Sequence, residues 1–472
     1  MPEKSVFLTP ASVALLAVTL LYYVGLRYFS LTKLSRRGLQ LPPGPKSSLI
    51  TGNLRPLVYY RVFNKETILV SSGKVALDLL ESRSGIYSDR NMAWMSGELA
   101  GRKHSVFHAS YSDPRFKIFR RLLQAGLNPR ASKSYRPIQV QECQILLKAL
   151  ATTPEDFMAH IRRNAVAVIL KVAYGYEVQG NDDPFVRNLE EGFALSATLG
   201  TPGKYWVEFL PILRFAPDWF PGAGFKRYAK WVGQKLHRLE RVPFEWAKKD
   251  ILNGEYIESF TSKHLFKEDG DIIGQDMQEN LKWTSSALYV GGGDTTVAAL
   301  TTFFLVMAQH PEVQRQAQAA VERVAPNRLP SLHDYESLPY IRALIKEILR
   351  WAPVAPLGIP HRAMQDDVYE SYFIPKGTEI LPNIWAMTHD AEIYPDPDNF
   401  DPTRHLGENP QPDPFRFVFG FGRRVCPGAH LAEMSLFLNI CSILAAFDIS
   451  KLVDKNGKEV EPEVEWTIGV TM

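Results

Sequence analysis

One cysteine in this chain stands in a setting that chemistry can use. The run Phe419-Gly420-Phe421-Gly422-Arg423-Arg424-Val425-Cys426-Pro427-Gly428 combines glycines, which allow turns that other residues resist, with a proline that has no N–H to donate. Residues 430–446 read as a helix directly behind it, so Cys426 is expected at a helix N-terminus. Oriented N–H groups there lower a thiol's pKa and favour the thiolate, and Arg423 and Arg424 add positive charge. A thiolate held this way is a good axial ligand for iron. The competing reading is a buried structural cysteine, which is common. The other two cysteines, Cys143 and Cys441, complete neither a disulfide framework nor a zinc set, and they fit a reducing compartment.

Two further constellations lie upstream. Glu347 and Arg350 are three residues apart in the stretch 340–351, whose apolar Ile341, Leu344, Ile345, Ile348 and Leu349 recur with a helical period, so the two charges share a face. Alone, such a pair is usually solvated. The second is Gly291-Gly292-Gly293-Asp294-Thr295-Thr296, inside a helical pattern over about 277–310 that Pro311 stops. Three glycines in a helix cost about 1 kcal/mol each relative to alanine. A phosphate-cradling loop does not fit, because no Lys-Ser/Thr follows and no strand precedes. An interrupted helix is the expectation.

The elements that must position these residues are mostly helical. Strand-like runs occur at 57–62, 67–70, 369–374 and 379–381, with Pro375-Lys376-Gly377 as a turn, so the fold is read as mainly α with small β-sheets. No repeat or low-complexity tract is visible. With 472 residues, 45% hydrophobic and 22% charged, the chain can bury a large core, and a net charge of +3 suggests no nucleic-acid partner. Residues 6–26, VFLTPASVALLAVTLLYYVGL, carry no charge, and about 20 such residues cross a bilayer core. Arg27, Lys33, Arg36 and Arg37 follow, which by the positive-inside bias places the body in the cytosol. Leu41-Pro42-Pro43-Gly44-Pro45 reads as a stiff spacer. The division is therefore a membrane anchor over 1–30, a basic, proline-rich linker over 31–56, and a body over 57–472.

The spacing Phe-x-x-Gly-x-Arg-x-Cys-x-Gly, from Phe419 to Gly428, matches the haem-binding loop of the cytochrome P450 superfamily at every defining position. The chain resembles that family over nearly all of its length after the anchor, which implies the cytochrome P450 fold and makes the body a haem-thiolate catalytic domain. By this resemblance Cys426 is the metal ligand to haem b (iron protoporphyrin IX), Phe419 shields its sulfur, Gly428 lets the chain approach closely, and Arg424 binds a propionate. Glu347-x-x-Arg350, with Arg404 in the stretch 400–405, resembles the family's buried structural network. Gly291 and Gly292 would make room for dioxygen, and Asp294 and Thr295 would steer protons to it. Arg120 and His361 sit at further propionate positions. Phe116 stands where the family usually has a tryptophan, so that indole donor is absent.

The segments 354–362 and 366–383 look most like fungal microsomal members, which typically act on lipophilic secondary metabolites: terpenoids, polyketides, or aromatic and steroid-like compounds. The implied activity is insertion of one atom of O2 into such a molecule, in an apolar pocket for which Ala287, Val290, Val354, Ala355 and Leu357 are candidates. No dinucleotide-binding or flavin-type domain is visible, so NADPH-derived electrons are expected through a separate NADPH–cytochrome reductase. The resemblance further implies a single-pass protein of the endoplasmic reticulum with its catalytic domain in the cytosol. Two departures stand out. The family has a longer segment, including a helix, between Gly52-Asn53-Leu54 and the strand at Leu57, and it usually continues beyond Met472 through a final hairpin. They leave open a haem-binding but inactive truncated relative. A reductase-independent haem-thiolate isomerase or dehydratase is the other alternative, against which the Asp294-Thr295 pair argues.

Overall fold

The computed structural model describes residues 41–42, 56–63, 65–201 and 203–464. The expected anchor over 1–30 and almost all of the linker over 31–56 lie outside these residues.

Helices dominate, as the periodicity predicts. The longer ones are α1 (Pro114–Leu127), α2 (Arg136–Thr152), α3 (Phe157–Tyr174), α4 (Pro184–Gly200), α5 (Gly224–Asn253), α6 (Gln275–Gln309), α7 (Pro311–Val324), α8 (Pro339–Trp351) and α9 (Ala429–Ala446). Proline at the first turn starts α1, α4, α7 and α8, where a missing N–H costs nothing. By length and composition α6 and α9 could cross a bilayer, yet here they are packed by other helices, and two thirds of the most apolar stretch of α9 is buried.

The expected interruption of α6 is absent: it runs as one helix through all three glycines. The reason is packing. A Cβ on Gly292 would lie 2.8 Å from Ile169 of α3, and one on Gly293 would lie 2.5 Å from Leu189 of α4. Both distances are shorter than side chains tolerate, so these glycines let neighbouring helices close on α6, which offsets their low helix propensity.

The main sheet has the order β1-β2-β6-β3. β1 (Leu57–Val62) and β2 (Lys65–Val70) form an antiparallel hairpin, and β6 (Glu379–Pro382) runs parallel to β2 with Thr67 opposite Glu379. β3 (His361–Arg362) closes the edge antiparallel to β6, which places His361 opposite Ile380. The single strand read over 369–374 is instead a hairpin of β4 (Asp367–Tyr369) and β5 (Tyr372–Ile374). Glu370, at φ 53°, turns the chain there although its residue type gives no turn signal. A last pair, β7 (Leu452–Val453) and β8 (Glu459–Val460), follows α9.

Among the described residues three large apolar clusters hold these parts together, beside a small one of Ala109, Phe119 and Trp283. One joins α3, α4, α5 and the first half of α6. The second joins the rest of α6 to α7, α8 and α9. The third lies under the main sheet and reaches Phe417 and Phe421 of the cysteine loop. The loop is thus fixed between the sheet side and the helical side of the molecule.

Candidate active site

The loop preceding α9 turns tightly enough to need its glycines. Gly420 and Gly422 have φ of 77° and 51°, and a Cβ on Gly422 would lie 2.4 Å from the Leu80 carbonyl oxygen. The Cys426 N–H donates to the Phe419 carbonyl at 2.7 Å, which closes the loop. Phe419 itself packs edge-on against Phe415 at 5.1 Å. The N–H groups of Gly428 and Ala429, at the start of α9, are directed at the Cys426 sulfur.

Cys426 is exposed to an opening, yet protein encloses it closely. Burial is therefore the largest influence on its thiol and pushes the pKa up, against the N–H groups of Gly428 and Ala429 and the charge of Arg120. The sequence expectation that the helix N-terminus, with the charge of Arg423 and Arg424, would favour the thiolate is corrected here: the same packing that aims those N–H groups also desolvates the sulfur, and the charge that acts on it is that of Arg120. Cys143 and Cys441 are buried in the helical core, as structural cysteines are.

Arginines cluster about the cysteine loop, and Arg120 acts directly on its sulfur. Arg120, on α1, donates to the Val425 carbonyl at 2.9 Å. Arg424 donates to the carbonyls of Ser88 and Ala109, both at 2.8 Å, and its guanidinium lies 4.2 Å over the Phe116 ring. The Phe116 position thus keeps an aromatic contact while lacking an indole donor. A third cation, Arg90, was not recognised in the sequence. It donates to the Ile359 and Pro360 carbonyls, and its Nε is buried without a partner. Burial and the neighbouring Arg424 lower Arg90 to about 9, and burial lowers Arg424 to about 10. His361 is buried, and its Nδ1 donates to the Tyr87 carbonyl at 2.7 Å, since a carbonyl only accepts. Burial and the two arginines lower it to about 3, so the ring is neutral and its Nε2 presents a lone pair. As it stands, His361 offers no donor at Nε2; only an anion beside it would favour the protonated, donating form.

The helix α6 reaches the same region from the other side. Thr295 Oγ1 donates to the Gly291 carbonyl at 2.7 Å, and Thr296 Oγ1 to that of Gly292 at 2.9 Å. Of the two glycines expected to leave room for dioxygen, only Gly291 could take a Cβ without a clash, whereas one on Gly292 would lie 2.8 Å from Ile169. The Phe107 ring lies 3.6 Å from where a Cβ on Gly291 would be. Phe107 belongs to the turn 105–109, and Arg424 holds the Ala109 carbonyl of that turn, so Gly291, Phe107 and the cysteine loop are brought together. Phe107 had no motif to reveal it. Of the pocket candidates, Val290 and Val354 pack against core clusters, and Leu357 is 46% exposed.

The Glu347 network is assembled behind the loop, not beside the sulfur. Glu347 and Arg350 are both fully buried. Glu347 Oε1 accepts from Arg350 at 2.9 Å, from Arg404 at 3.0 Å and from the Asp401 N–H at 2.9 Å; Oε2 accepts from Arg350 at 2.8 Å and lies 2.9 Å from His405 Nε2. His405 is a fourth member that spacing did not reveal. Burial raises the Glu347 pKa, but hydrogen bonds from His405 and Arg350 outweigh it and bring the carboxyl down to about 2.

These residues fit an iron porphyrin. One sulfur with no companion ligands suits a metal that brings four ligands of its own, and among the described residues no cluster of His, Cys, Asp or Glu could hold an ion by itself. Desolvated guanidiniums that bond only neutral carbonyls suit the carboxylates such a group carries.

The comparisons with known proteins agree. A model of the cytochrome P450 family matches residues 49–470. The chain is 38% identical over 455 residues to the cytochrome P450 monooxygenase claR of Ampulloclitocybe clavipes, across 91% of this chain and 84% of that protein. It is 38% identical to cytochrome P450 monooxygenase 208 of Postia placenta, across 98% and 92%. It is 35% identical to cytochrome P450 monooxygenase ppsD of Aspergillus oryzae, across 91% and 86%. The loop that presents a single sulfur, the surrounding cations and these relatives lead to one conclusion: the chain belongs to the cytochrome P450 family and is a haem-thiolate monooxygenase.

Proposed function

We propose that the chain oxidises a lipophilic small molecule of fungal secondary metabolism, with electrons passed from NADPH by a separate reductase. Bound haem supplies the oxygen chemistry; the protein supplies its binding, its surroundings and the placement of the substrate. Cys426 ligates the iron, while Arg90, Arg120 and Arg424 hold the propionates and His361 joins them once an anion favours its charged form. Phe419 and Gly428 frame the sulfur. Gly291 leaves space on the opposite side, where Asp294 and Thr295 move protons. Phe107 and Val290 bound the apolar side of that space. The observation that carries this reading is the gathering of three desolvated arginines, bonded to carbonyls, about the loop that presents one reachable sulfur.

A reductase would meet the exposed side of the cysteine loop. Arg423 is exposed there and engages Tyr111, with its guanidinium 5.3 Å over the ring. Arg423→Glu should slow reduction without loss of haem; unchanged reduction rates would remove this face from consideration. Membrane association, with the anchor at 1–30, the linker at 31–56 and the catalytic domain from 57 onward at the endoplasmic reticulum, is supported by the uncharged run 6–26 and by Trp206, Phe215 and Trp219, which are 61%, 71% and 79% exposed.

The test is the carbon monoxide difference spectrum of the dithionite-reduced protein in microsomes. A strongly red-shifted Soret band places thiolate on the iron. A band typical of a histidine or neutral ligand, or no band, overturns the assignment. Consumption of O2 and NADPH with a reductase then separates oxygen insertion from isomerisation or dehydration.

A further inference from the structure

The segment that carries Trp206 and Phe215 is joined to the body by few polar groups, and one of them is placed with care. Glu208 is half-buried. Its Oε1 accepts the Met95 N–H at 2.8 Å and its Oε2 accepts the Trp94 N–H at 3.2 Å. These N–H groups open the short helical turn Trp94–Leu99, whose own backbone leaves them without partners. Arg214 of the same segment lies with its guanidinium 4.1 Å over the Trp94 ring. Phe63, in the turn between β1 and β2, completes the contact from the third side, 5.6 Å from Trp206 and 5.7 Å from Phe209.

From Trp94 and Met95 the contacts lead inward. Ser96 Oγ bonds His108 Nε2 at 3.1 Å, and His108 Nδ1 bonds Ser105 Oγ at 2.8 Å. This fixes the turn 105–109, whose Phe107 lies over Gly291 and whose Ala109 carbonyl is held by Arg424. The span between is pinned separately: Arg102 pairs with the buried Glu240 at 2.8 Å, and the Ala100 carbonyl sits against Gly233. The inner part of residues 94–109 is thus held to α5 and to the cysteine loop, while its outer end is held by Glu208.

We propose that Glu208 is a positioning residue that clasps the apolar segment 204–216 to residues 94–96 and so sets how readily the way to Gly291 and Cys426 opens. The proposal rests on the haem-thiolate reading. Glu208 touches neither substrate nor haem. Releasing it loosens two segments without altering the groups at the site, so rates of passage change while the ligation of the iron does not. Segments that open locally take their opening free energy from such few contacts.

The experiment uses the haem-loaded, membrane-bound protein. The reduced carbon monoxide complex is photolysed, and escape and bimolecular rebinding are timed; amide hydrogen exchange over 94–99 is measured alongside. In Glu208→Ala, exchange at Trp94 and Met95 and the rate of rebinding should both rise, by about tenfold for one lost charge-assisted contact, at unchanged haem content and band position. Glu208→Gln keeps one acceptor oxygen and should show the smaller rise, and Arg214→Ala should move both readouts in the same direction. Combining Glu208→Ala with Ser96→Ala should give less than the sum of the separate effects, since both act on one connection. Parental exchange and rebinding in Glu208→Ala would overturn the proposal. Should that variant not retain haem, parental values in both Glu208→Gln and Arg214→Ala would overturn it equally. Absence of the red-shifted band from the parent protein is a different result: it counts against the haem-thiolate reading, and amide exchange still reads the clasp.

Discussion

The molecule holds two groups of arginines and treats them in opposite ways. Behind the cysteine loop, Arg350 and Arg404 share the buried carboxylate of Glu347, with His405 on its second oxygen. Beside the sulfur, Arg90, Arg120 and Arg424 bond carbonyls, and burial lowers the pKa of each. Asp89 is the acid that opposes this charge at Arg90 and Arg424, and it also holds Ser110 and the Tyr111 N–H. A buried cation with its counter-charge in place is architecture. Buried cations that outnumber their counter-charge, as three arginines outnumber Asp89, are a binding site for something anionic.

Four predictions press on that difference. The largest effect concerns the sulfur between the arginines: Cys426→Ala should abolish the red-shifted carbon monoxide band and all oxygenase activity, with helical circular dichroism unchanged. Next is the contrast between the clusters. Glu347→Gln strands two buried guanidiniums and should destabilise the protein by about 3–5 kcal/mol, visible in the denaturation midpoint with or without haem. Arg90→Met should speed haem dissociation about tenfold or more and yet leave the midpoint of the haem-free chain no lower, because it removes a cation that repels Arg424. Equal losses for both variants in the haem-free chain would erase the distinction.

The third prediction is a pH dependence. Folding brings the Glu347 carboxyl from an ordinary value of 4.5 down to about 2. A depressed carboxyl contributes its stability fully above the unfolded value and loses it as pH falls through the folded one. The parent should therefore lose stability between about pH 4.5 and 2, and Glu347→Gln should lack that part of the slope in acid titrations followed by tryptophan fluorescence. The smallest effect is expected at Phe107. Phe107→Ala should strengthen binding of a bulky phenyl-substituted imidazole several-fold over the parent while leaving imidazole itself unchanged, read from the Soret shift.

How far the sequence carried these conclusions differs from residue to residue. The helix holding Glu347 was legible because Ile341, Leu344, Ile345, Ile348 and Leu349 repeat at its period, and the same spacing put Arg350 on the Glu347 face. His405 was not legible, since a histidine beside Arg404 has no local pattern that says which carboxylate it will meet 58 positions away. Arg90 stands in a loop among ordinary polar residues; only burial distinguishes it. The glycines at 291–293 announced a special place on α6, but an interruption was the wrong form of it, because close packing explains Gly292 and Gly293 where backbone freedom does not.

What the sequence by itself determined is local and chemical: a cysteine in a glycine-bounded turn before a helix, a mainly helical chain, and a pair of charges on one helical face. These follow from neighbours in the chain, whose geometry the backbone dictates. The tertiary structure alone decided which cations outnumber their counter-charge, that burial raises the Cys426 thiol against its helix terminus, and that Phe107 faces Gly291. Each of these depends on desolvation and on contacts between distant segments, and neither quantity exists until the segments have packed.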